Sequence, residues 1–192
     1  METMVNVIAP EAFFRMPGGG AAAYSADDKL SMLELTNRFE WCFDTRHLAE
    51  LEALLTDDVV IDHLFGLASN KAEAMKMLTD VVPFRGIRHQ ATNATVFTND
   101  AGEPCVLSYL MVVQTHDDAG KVTDQLPRVL AHALVTDRMR KVDGTWRIAG
   151  RTFEQMMLTR DYVPTEEGWH KMQETAADRA ASRSNTSSKA AE

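Results

Sequence analysis

Histidine is the residue type in this chain that is best suited to moving protons near neutral pH. An imidazole has a reference pKa of about 6.5, so it can give and take a proton without a large perturbation. A carboxylate on one ring nitrogen would fix the tautomer and stabilise the imidazolium, leaving the other nitrogen for a substrate. Among the six histidines, the candidates for this chemistry are His63, His89 and His116.

Two of these histidines, and one arginine that could also bind a substrate, have ordinary structural explanations. His63 shares a predicted strand face with Ile61 and Phe65, where a core histidine with a backbone partner is as reasonable as a pocket-lining one. His116 ends a predicted strand beside a polar turn, and an exposed histidine is common there. Arg151, on the last predicted strand, could clamp a carboxylate or enolate, although arginine at such a position is usually solvated or salt-bridged. The residue types alone leave these roles open.

Other kinds of site are not indicated by the sequence. The histidines show no H-x-x-x-H or H-x-H spacing, so we expect no metal. There is no Gly-rich phosphate loop, no G-x-S-x-G motif and no Cys–His nucleophile arrangement. We therefore expect a protein that needs no cofactor and whose activity resists EDTA.

The composition is typical of one globular domain, with 192 residues of which 45% are hydrophobic. A net charge of −8 argues against nucleic acid as a partner. Cys42 and Cys105 lie among apolar residues and are expected to be buried free thiols. The sequence shows neither a signal-peptide pattern nor an apolar run long enough to span a bilayer, so we expect a cytoplasmic protein without a membrane partner.

Apolar spacing predicts an α+β domain with its helices first. Helices are predicted over about 25–44, 47–55 and 70–82, with Ser25 and Asn70 as N-caps, and a first strand over 59–65. Four longer strands are predicted over 87–98, 105–116, 126–142 and 145–157, separated by polar turns. We expect three helices packed on a strongly curved antiparallel sheet that encloses a pocket.

The two ends of the chain are expected to lie outside this domain. Residues 1–24 contain two prolines and a Gly-Gly-Gly-Ala-Ala-Ala run, which indicates a flexible N-terminal arm. The domain is predicted over 25–172. Residues 173–192 have almost no large apolar side chain and are predicted to form a disordered tail.

Four segments resemble the scytalone dehydratase-like and SnoaL-like proteins of the nuclear transport factor 2-like superfamily. They are Trp-Cys-Phe-Asp at 41–44, Val-Ile-Asp-His at 60–63, Arg-His-Gln at 88–90 and the hairpin at 141–150. The resemblance covers about residues 26–165, and it implies the cone-shaped α+β fold of that superfamily. The hairpin supports the fold, whereas the other three segments bear on the chemistry.

This resemblance implies roles for particular residues. In the family pattern an Asp at the end of the first helix, here Asp44, orients a general acid/base histidine, here His89. The pattern also has two tyrosines in the pocket, at positions that are Phe43 and His63 here. His116 falls close to a second family histidine after a short length difference. The predicted catalytic residues are therefore Asp44, His89 and His116, and the predicted substrate-binding residues are Phe43, His63, Phe65, Met75, Arg151 and Phe153.

The function expected from the resemblance is that of a cofactor-free lyase or isomerase. We expect a dehydratase that acts on a small apolar or polycyclic carbonyl compound by Asp–His acid/base catalysis. A cyclase or double-bond isomerase would use the same residues. The same fold would also suit a non-catalytic small-molecule binding or scaffold protein, or a subunit whose sheet serves only for assembly.

One strand predicts self-association. The segment 105–113 is apolar at nearly every position, with Val106, Leu107, Leu110, Met111, Val112 and Val113. A strand that is apolar on both faces is usually buried on both, and the helices and pocket account for only one. The other face is therefore expected to contact a second copy of the chain, in a dimer or trimer.

Light scattering on the purified chain at micromolar concentration tests this expectation. The measured mass should be well above the 21.4 kDa of one chain. A mass near that of a single chain would show that the apolar strand does not indicate an interface.

Overall fold

A computed structural model of the protein describes residues 4–5, 24–80, 86–115, 126–163 and 165–189, without the side chains of 4–5 and 179–189. In chain order, the elements are β1 (Met4–Val5), α1 (Ala26–Thr45), α2 (Leu48–Ala53), β2 (Leu55–His63), β3 (Gly66–Ala68), α3 (Lys71–Asp80), β4 (Ile87–Thr98), β5 (Pro104–Gln114), β6 (Arg128–Val142), β7 (Thr145–Leu158), a 3₁₀ turn (Arg160–Tyr162) and α4 (Glu166–Lys189). The helices-first order and the α+β class predicted from the sequence are confirmed.

Helix α1 begins and ends where its sequence provides caps. At its start the Ser25 hydroxyl accepts the Asp28 N–H at 3.1 Å, which satisfies one of the free donors of the first turn. At its end Arg46 adopts a left-handed conformation with φ of 61°, and the His47 N–H donates to the Cys42 carbonyl at 2.9 Å. The helix therefore stops one residue after Asp44, at the edge of the sheet.

The sheet runs in the order β3-β2-β7-β6-β5-β4, and β1 pairs with the end of β7. Strands β4 to β7 form the predicted antiparallel meander. The expectation of a wholly antiparallel sheet is wrong at one place, because β2 runs parallel to β7. A hairpin fixes antiparallel pairing of its two strands, but β2 and β7 are far apart in the chain and no turn sets their relative direction.

Two bulges help to bend the long strands around α1. In β4 the register shifts between Thr92 and Thr95, and Asn93 has a φ of 51°. In β7 the register against β6 shifts near Gln155, which has a φ of 46°. Bulges of this kind bend and twist a strand, and α1 packs against β4, β5 and β7 inside the resulting curve.

The C-terminal segment differs from the prediction. Residues 173–192 were expected to be a disordered tail, but α4 continues as helix to Lys189. Its first turn is capped by the Thr165 hydroxyl, which accepts the Gly168 N–H at 3.1 Å, and Trp169 and Met172 are buried in the core. Alanine and the charged residues of this segment are good helix formers, so low hydrophobicity did not indicate disorder here.

Three further expectations concern the N-terminal arm, membrane-spanning helices and the two cysteines. Of the predicted N-terminal arm, only the two residues of β1 and Tyr24 lie within the described part of the chain. No helix in the described residues is long and apolar enough to cross a bilayer. Cys42 and Cys105 are buried and free, as predicted.

Asn93 provides a direct test of the β4 bulge. Its side chain is exposed, yet a β-branched residue is strained at a φ of 51°. Asn93→Val should therefore lower the free energy of unfolding by about 1–2 kcal/mol, while Asn93→Gly should cost little. Urea unfolding measures both.

The matched control is Thr95→Val, at an exposed position of the same strand. This change should be neutral or slightly stabilising, because valine suits ordinary extended backbone. Equal effects of valine at 93 and 95 would contradict the bulge.

Candidate active site

The concave face of the sheet, α1 and α3 enclose one largely apolar cavity. The space in it that a water-sized sphere can reach is about 60 Å³, so a ligand larger than a few water molecules would have to displace lining side chains. Its polar lining residues are Glu40, His63, His89, Arg151 and Tyr162. Most of the remaining wall is aromatic or aliphatic, so a ligand here would be largely shielded from water.

Asp44 and His89 form a closely bound pair at this cavity. The Nδ1 atom of His89 lies 2.6 Å from Oδ1 of Asp44, and the backbone N–H of His89 donates to Oδ2 at 2.8 Å. Both carboxylate oxygens are therefore engaged by one residue. The two side chains are only 8% and 4% exposed, so the pair is shielded from competing water.

This geometry fixes the tautomer of the imidazole. Because an ionised carboxylate can only accept hydrogen bonds, Nδ1 of His89 must carry the proton. In the neutral ring, Nε2 then has a free lone pair, and His89 lines the cavity. The arrangement has the elements of a general base: an acceptor nitrogen, and a carboxylate that stabilises the imidazolium after proton transfer.

Further contacts hold the Asp44 end of α1 in place. The guanidinium of Arg46 donates to the Leu78 carbonyl at 3.0 Å and to the Thr79 carbonyl at 3.2 Å. These bonds join the end of α1 to α3. The ring of Phe43 contacts the His89 ring edge-on, with centroids 5.2 Å apart, and packs against the imidazole from the helix side.

His63 is a buried neutral histidine at the end of β2. Its Nδ1 accepts the Phe65 N–H at 3.1 Å, and its ring lies 4.4 Å from the Phe153 ring, centroid to centroid. Burial, and then the charges of His89 and Arg151, lower its pKa from 6.5 to about 3. His63 therefore adds a polar group to the cavity wall without adding charge.

Arg151 stands at the centre of a buried charge cluster. It is fully buried, its Nη2 donates to Oε1 of Glu40, and its Nη1 lies 3.5 Å from Oδ1 of Asp137. The guanidinium carbon also lies 4.1 Å from the centre of the Phe39 ring. Arg151 is therefore salt-bridged, one of the two alternatives that the sequence left open, and it also lines the cavity.

Asp137 supports the cluster from behind the cavity. It is fully buried, and its Oδ2 accepts the Thr36 hydroxyl at 2.8 Å. Burial raises its pKa, an effect that the Arg151 charge and the Thr36 hydrogen bond only partly offset. The cluster thus combines one guanidinium with two carboxyl groups, and burial biases Asp137 toward its neutral form.

The structure also adds residues that the sequence analysis did not name. Glu40 lies one helical turn before Asp44 in the buried stripe of α1, and this spacing was a usable signal. Tyr162 lies beyond the last predicted strand, in the 3₁₀ turn, and nothing in the local pattern marked it. Burial, and then the charges of Glu40 and Asp44, raise the pKa of Tyr162, so its hydroxyl keeps its proton.

The predicted site residues fall into three groups. Phe43, His63, Phe65, His89, Arg151 and Phe153 all line the cavity, and Asp44 holds His89. Met75 was predicted to bind the substrate, but it packs on the core instead. Met77 and Leu78 of α3 line the cavity. On a helix, adjacent residues point in different directions, and the inward stripe includes 74, 77 and 78. His116 lies outside the described residues.

A metal site is not seen in the part of the chain that the structure describes. No group of three or more His, Cys, Asp or Glu side chains there has an arrangement that could hold an ion.

The helices, the curved unclosed sheet and the enclosed cavity define a nuclear transport factor 2-like α+β protein. Within this class, the model of the SnoaL-like domain matches residues 25–152. The chain belongs to the SnoaL-like family. A comparison of the sequence with curated proteins gave no match.

Solved structures share the fold at low sequence identity. A protein of unknown function with a cystatin-like fold from Nostoc punctiforme is 27% identical, with a TM-score of 0.59 over 73% of this chain and 98% of that one. An NTF2-like protein with a cystatin-like fold from Novosphingobium aromaticivorans is 16% identical, with a TM-score of 0.55 over 79% and 93%. A protein provisionally named scytalone dehydratase, from the same organism, is 21% identical, with a TM-score of 0.54 over 67% and 84%.

His63 should make the stability of the protein depend on pH. Its pKa is about 3 in the folded state, against 6.5 for an ordinary histidine, so between these values the unfolded chain binds the additional proton. The stability linked to this group is therefore present above about pH 6.5 and declines as the pH falls toward about 3. His63→Asn removes the titration but keeps a side-chain acceptor for the Phe65 N–H.

Thermal unfolding between about pH 7 and about pH 4 tests this sign. The Tm of His63→Asn should start lower, because ring contacts are lost, but should fall less with acid than that of the wild type. His170→Asn, at an exposed position of α4, is the control and should keep the wild-type slope. A wild-type slope in His63→Asn would show that His63 is not held neutral.

Proposed function

We propose that this protein is a cofactor-free dehydratase of the SnoaL-like family that acts on a small, largely apolar carbonyl compound. The observation that carries the proposal is the Asp44–His89 pair, with Nδ1 and Oδ1 2.6 Å apart and both side chains buried at the cavity. Membership of the SnoaL-like family supports the same assignment.

The proposed reaction uses the free nitrogen of His89 twice. First, Nε2 takes a proton from the carbon next to the carbonyl, and the C–H electrons form an enolate. The imidazolium that results is stabilised by Asp44. Nε2 then returns the proton to a hydroxyl on the next carbon, the C–O bond breaks, and water leaves as the C=C bond forms. The histidine ends in its starting state, so no cofactor is consumed.

The cavity wall contributes by holding the substrate and excluding water. Aromatic rings line the cavity, among them Phe43, Phe65 and Phe153. A flat apolar compound would be oriented by these surfaces, which lowers the entropic cost of reaching the reactive geometry. Exclusion of water also strengthens the electrostatic interaction between the imidazolium and Asp44.

Self-association through the sheet belongs to the same proposal. On β5, Leu110 and Val112 line the cavity, whereas Tyr109, which precedes Leu110, is 45% exposed on the opposite face. In the register of the sheet, Met111 lies opposite His132, and His132 lies opposite the 46% exposed Met157. This apolar convex surface supports a homo-oligomer, whose mass the light-scattering experiment measures.

Substitutions of the pair test the proposed chemistry. His89→Ala should lower kcat by about a thousandfold or more, because the base is removed. It should still fold, since the backbone N–H of residue 89 continues to donate to Asp44. Asp44→Asn should keep the shape but lower kcat by about a hundredfold or more, because an amide does not stabilise the imidazolium.

The assay would follow enone absorbance on a panel of bicyclic β-hydroxy ketones. His170→Ala, an exposed histidine of α4, is the control and should keep full activity. Undiminished dehydration by His89→Ala would contradict the mechanism. Binding without turnover by the wild type, unaffected by His89→Ala, would indicate a carrier instead of an enzyme.

A further inference from the structure

The cavity has a second polar end, built around Arg151. Arg151 is the one lysine or arginine among the described residues that line the cavity. One of its nitrogens, Nη2, is bonded to Glu40. The atoms Nε and Nη1 have no hydrogen-bond partner among the described residues, and the nearest approach, Nη1 to Asp137, is 3.5 Å.

Unused donors on a buried guanidinium are unusual and costly. Buried N–H groups are nearly always hydrogen-bonded, because an unsatisfied group loses its water without replacement. Here the side chain is 0% exposed, so bulk solvent does not satisfy the donors. A ligand in the cavity that presents an oxygen acceptor would satisfy them, and would do so only at this end of the cavity.

The charge of the cluster decides which kind of oxygen suits it. The guanidinium is already balanced by Glu40, and Asp137 lies on its other side. The cluster therefore has no excess positive charge with which to hold an anion. An ionised carboxylate on the ligand would meet the charge of Glu40 in a low-dielectric site and be repelled. A neutral carbonyl oxygen accepts the same N–H donors without this repulsion.

The two polar ends stand at a fixed spacing. Glu40 and Asp44 are four residues apart on α1, so their positions on the helix are separated by about 6 Å along the axis. Glu40 holds Arg151 and Asp44 holds His89. Because Arg151 and His89 line the same cavity, a substrate whose carbonyl oxygen bonds to Arg151 would extend toward the His89 end.

We propose that Arg151 binds the neutral carbonyl oxygen of the substrate, so that the site selects ketones and quinone-like compounds over carboxylates. This inference rests on the proposed function for the role of the bound oxygen. Hydrogen bonds from Arg151 polarise the carbonyl, and they strengthen as negative charge develops on the oxygen of the enolate. Arg151 is then the electrophilic partner of the His89 base.

Binding of three bicyclic probes tests the proposal without any need for turnover. The probes are α-tetralone, which has a neutral carbonyl, tetralin, which lacks the oxygen, and α-naphthoate, which has a carboxylate. Calorimetry or competition fluorescence would give each Kd. The wild type should bind α-tetralone more tightly than α-naphthoate. Absence of binding of all three probes, or a preference for α-naphthoate, would overturn the proposal.

The first variant is Arg151→Lys, which keeps the positive charge beside Glu40 but removes the additional donors. The ratio of the tetralin Kd to the α-tetralone Kd should fall about tenfold, while the tetralin Kd changes by no more than about twofold. Arg140→Lys is the matched control, because Arg140 pairs with Asp58 on the surface, and its ratio should be unchanged. An unchanged ratio in Arg151→Lys would overturn the proposal.

Glu40→Gln tests the charge balance of the cluster and does not require Arg151→Lys to fold. Glu40→Gln retains an oxygen acceptor for Arg151 but removes one negative charge. Binding of α-naphthoate should then tighten about tenfold, with little change for α-tetralone. No change for α-naphthoate would contradict the charge balance.

His89→Ala separates this inference from the proposed function. It should keep the wild-type ratio, because His89 is at the other end of the cavity. A wild type that discriminates among the probes but turns over no substrate would leave the Arg151 assignment standing and remove the dehydratase proposal.

Discussion

The position of α1 against the sheet depends on two carboxylates that lie one helical turn apart. Glu40 accepts a hydrogen bond from Arg151 on β7, and Asp44 accepts from the ring and backbone of His89 on β4. Buried carboxylates are costly unless they are paired, so the helix has one docking position in which both find partners. The contacts that fix the helix are therefore the same contacts that create the two polar ends of the cavity.

The cluster around Arg151 is not an efficient way to stabilise a core. Replacing a buried ion pair by well-packed apolar residues is often neutral, or stabilising by about 1–4 kcal/mol, whereas removing one partner alone is strongly destabilising. Apolar side chains of the same volume would fill the space beside Phe39 and Phe153 at least as well. They would not offer N–H donors to a ligand, and this is the difference that the charged cluster makes.

Local features of the fold were readable from the sequence, and long-range pairings were not. The Ser25 cap and the bounds of β4 follow from patterns within a few residues, and the structure has both. The pairing of Asp44 with His89, 45 residues apart, was reached only through the family resemblance. The direction of β2 beside β7 has no turn to encode it. Tyr162 gave no signal, because its burial depends on how the chain folds back after β7.

The ion pair between Glu40 and Arg151 has a consequence for the order of events during synthesis. The two residues are 111 positions apart, and Thr36 and Asp137 are 101 apart. Helix α1 leaves the ribosome long before the strands that neutralise its buried carboxylate. Until β7 emerges, the inner face of α1 combines apolar surface with an unpaired charge and cannot settle into its final place. Contacts of such long range favour slow, late folding, so this face of α1 stays uncovered until the last strands of the sheet have emerged.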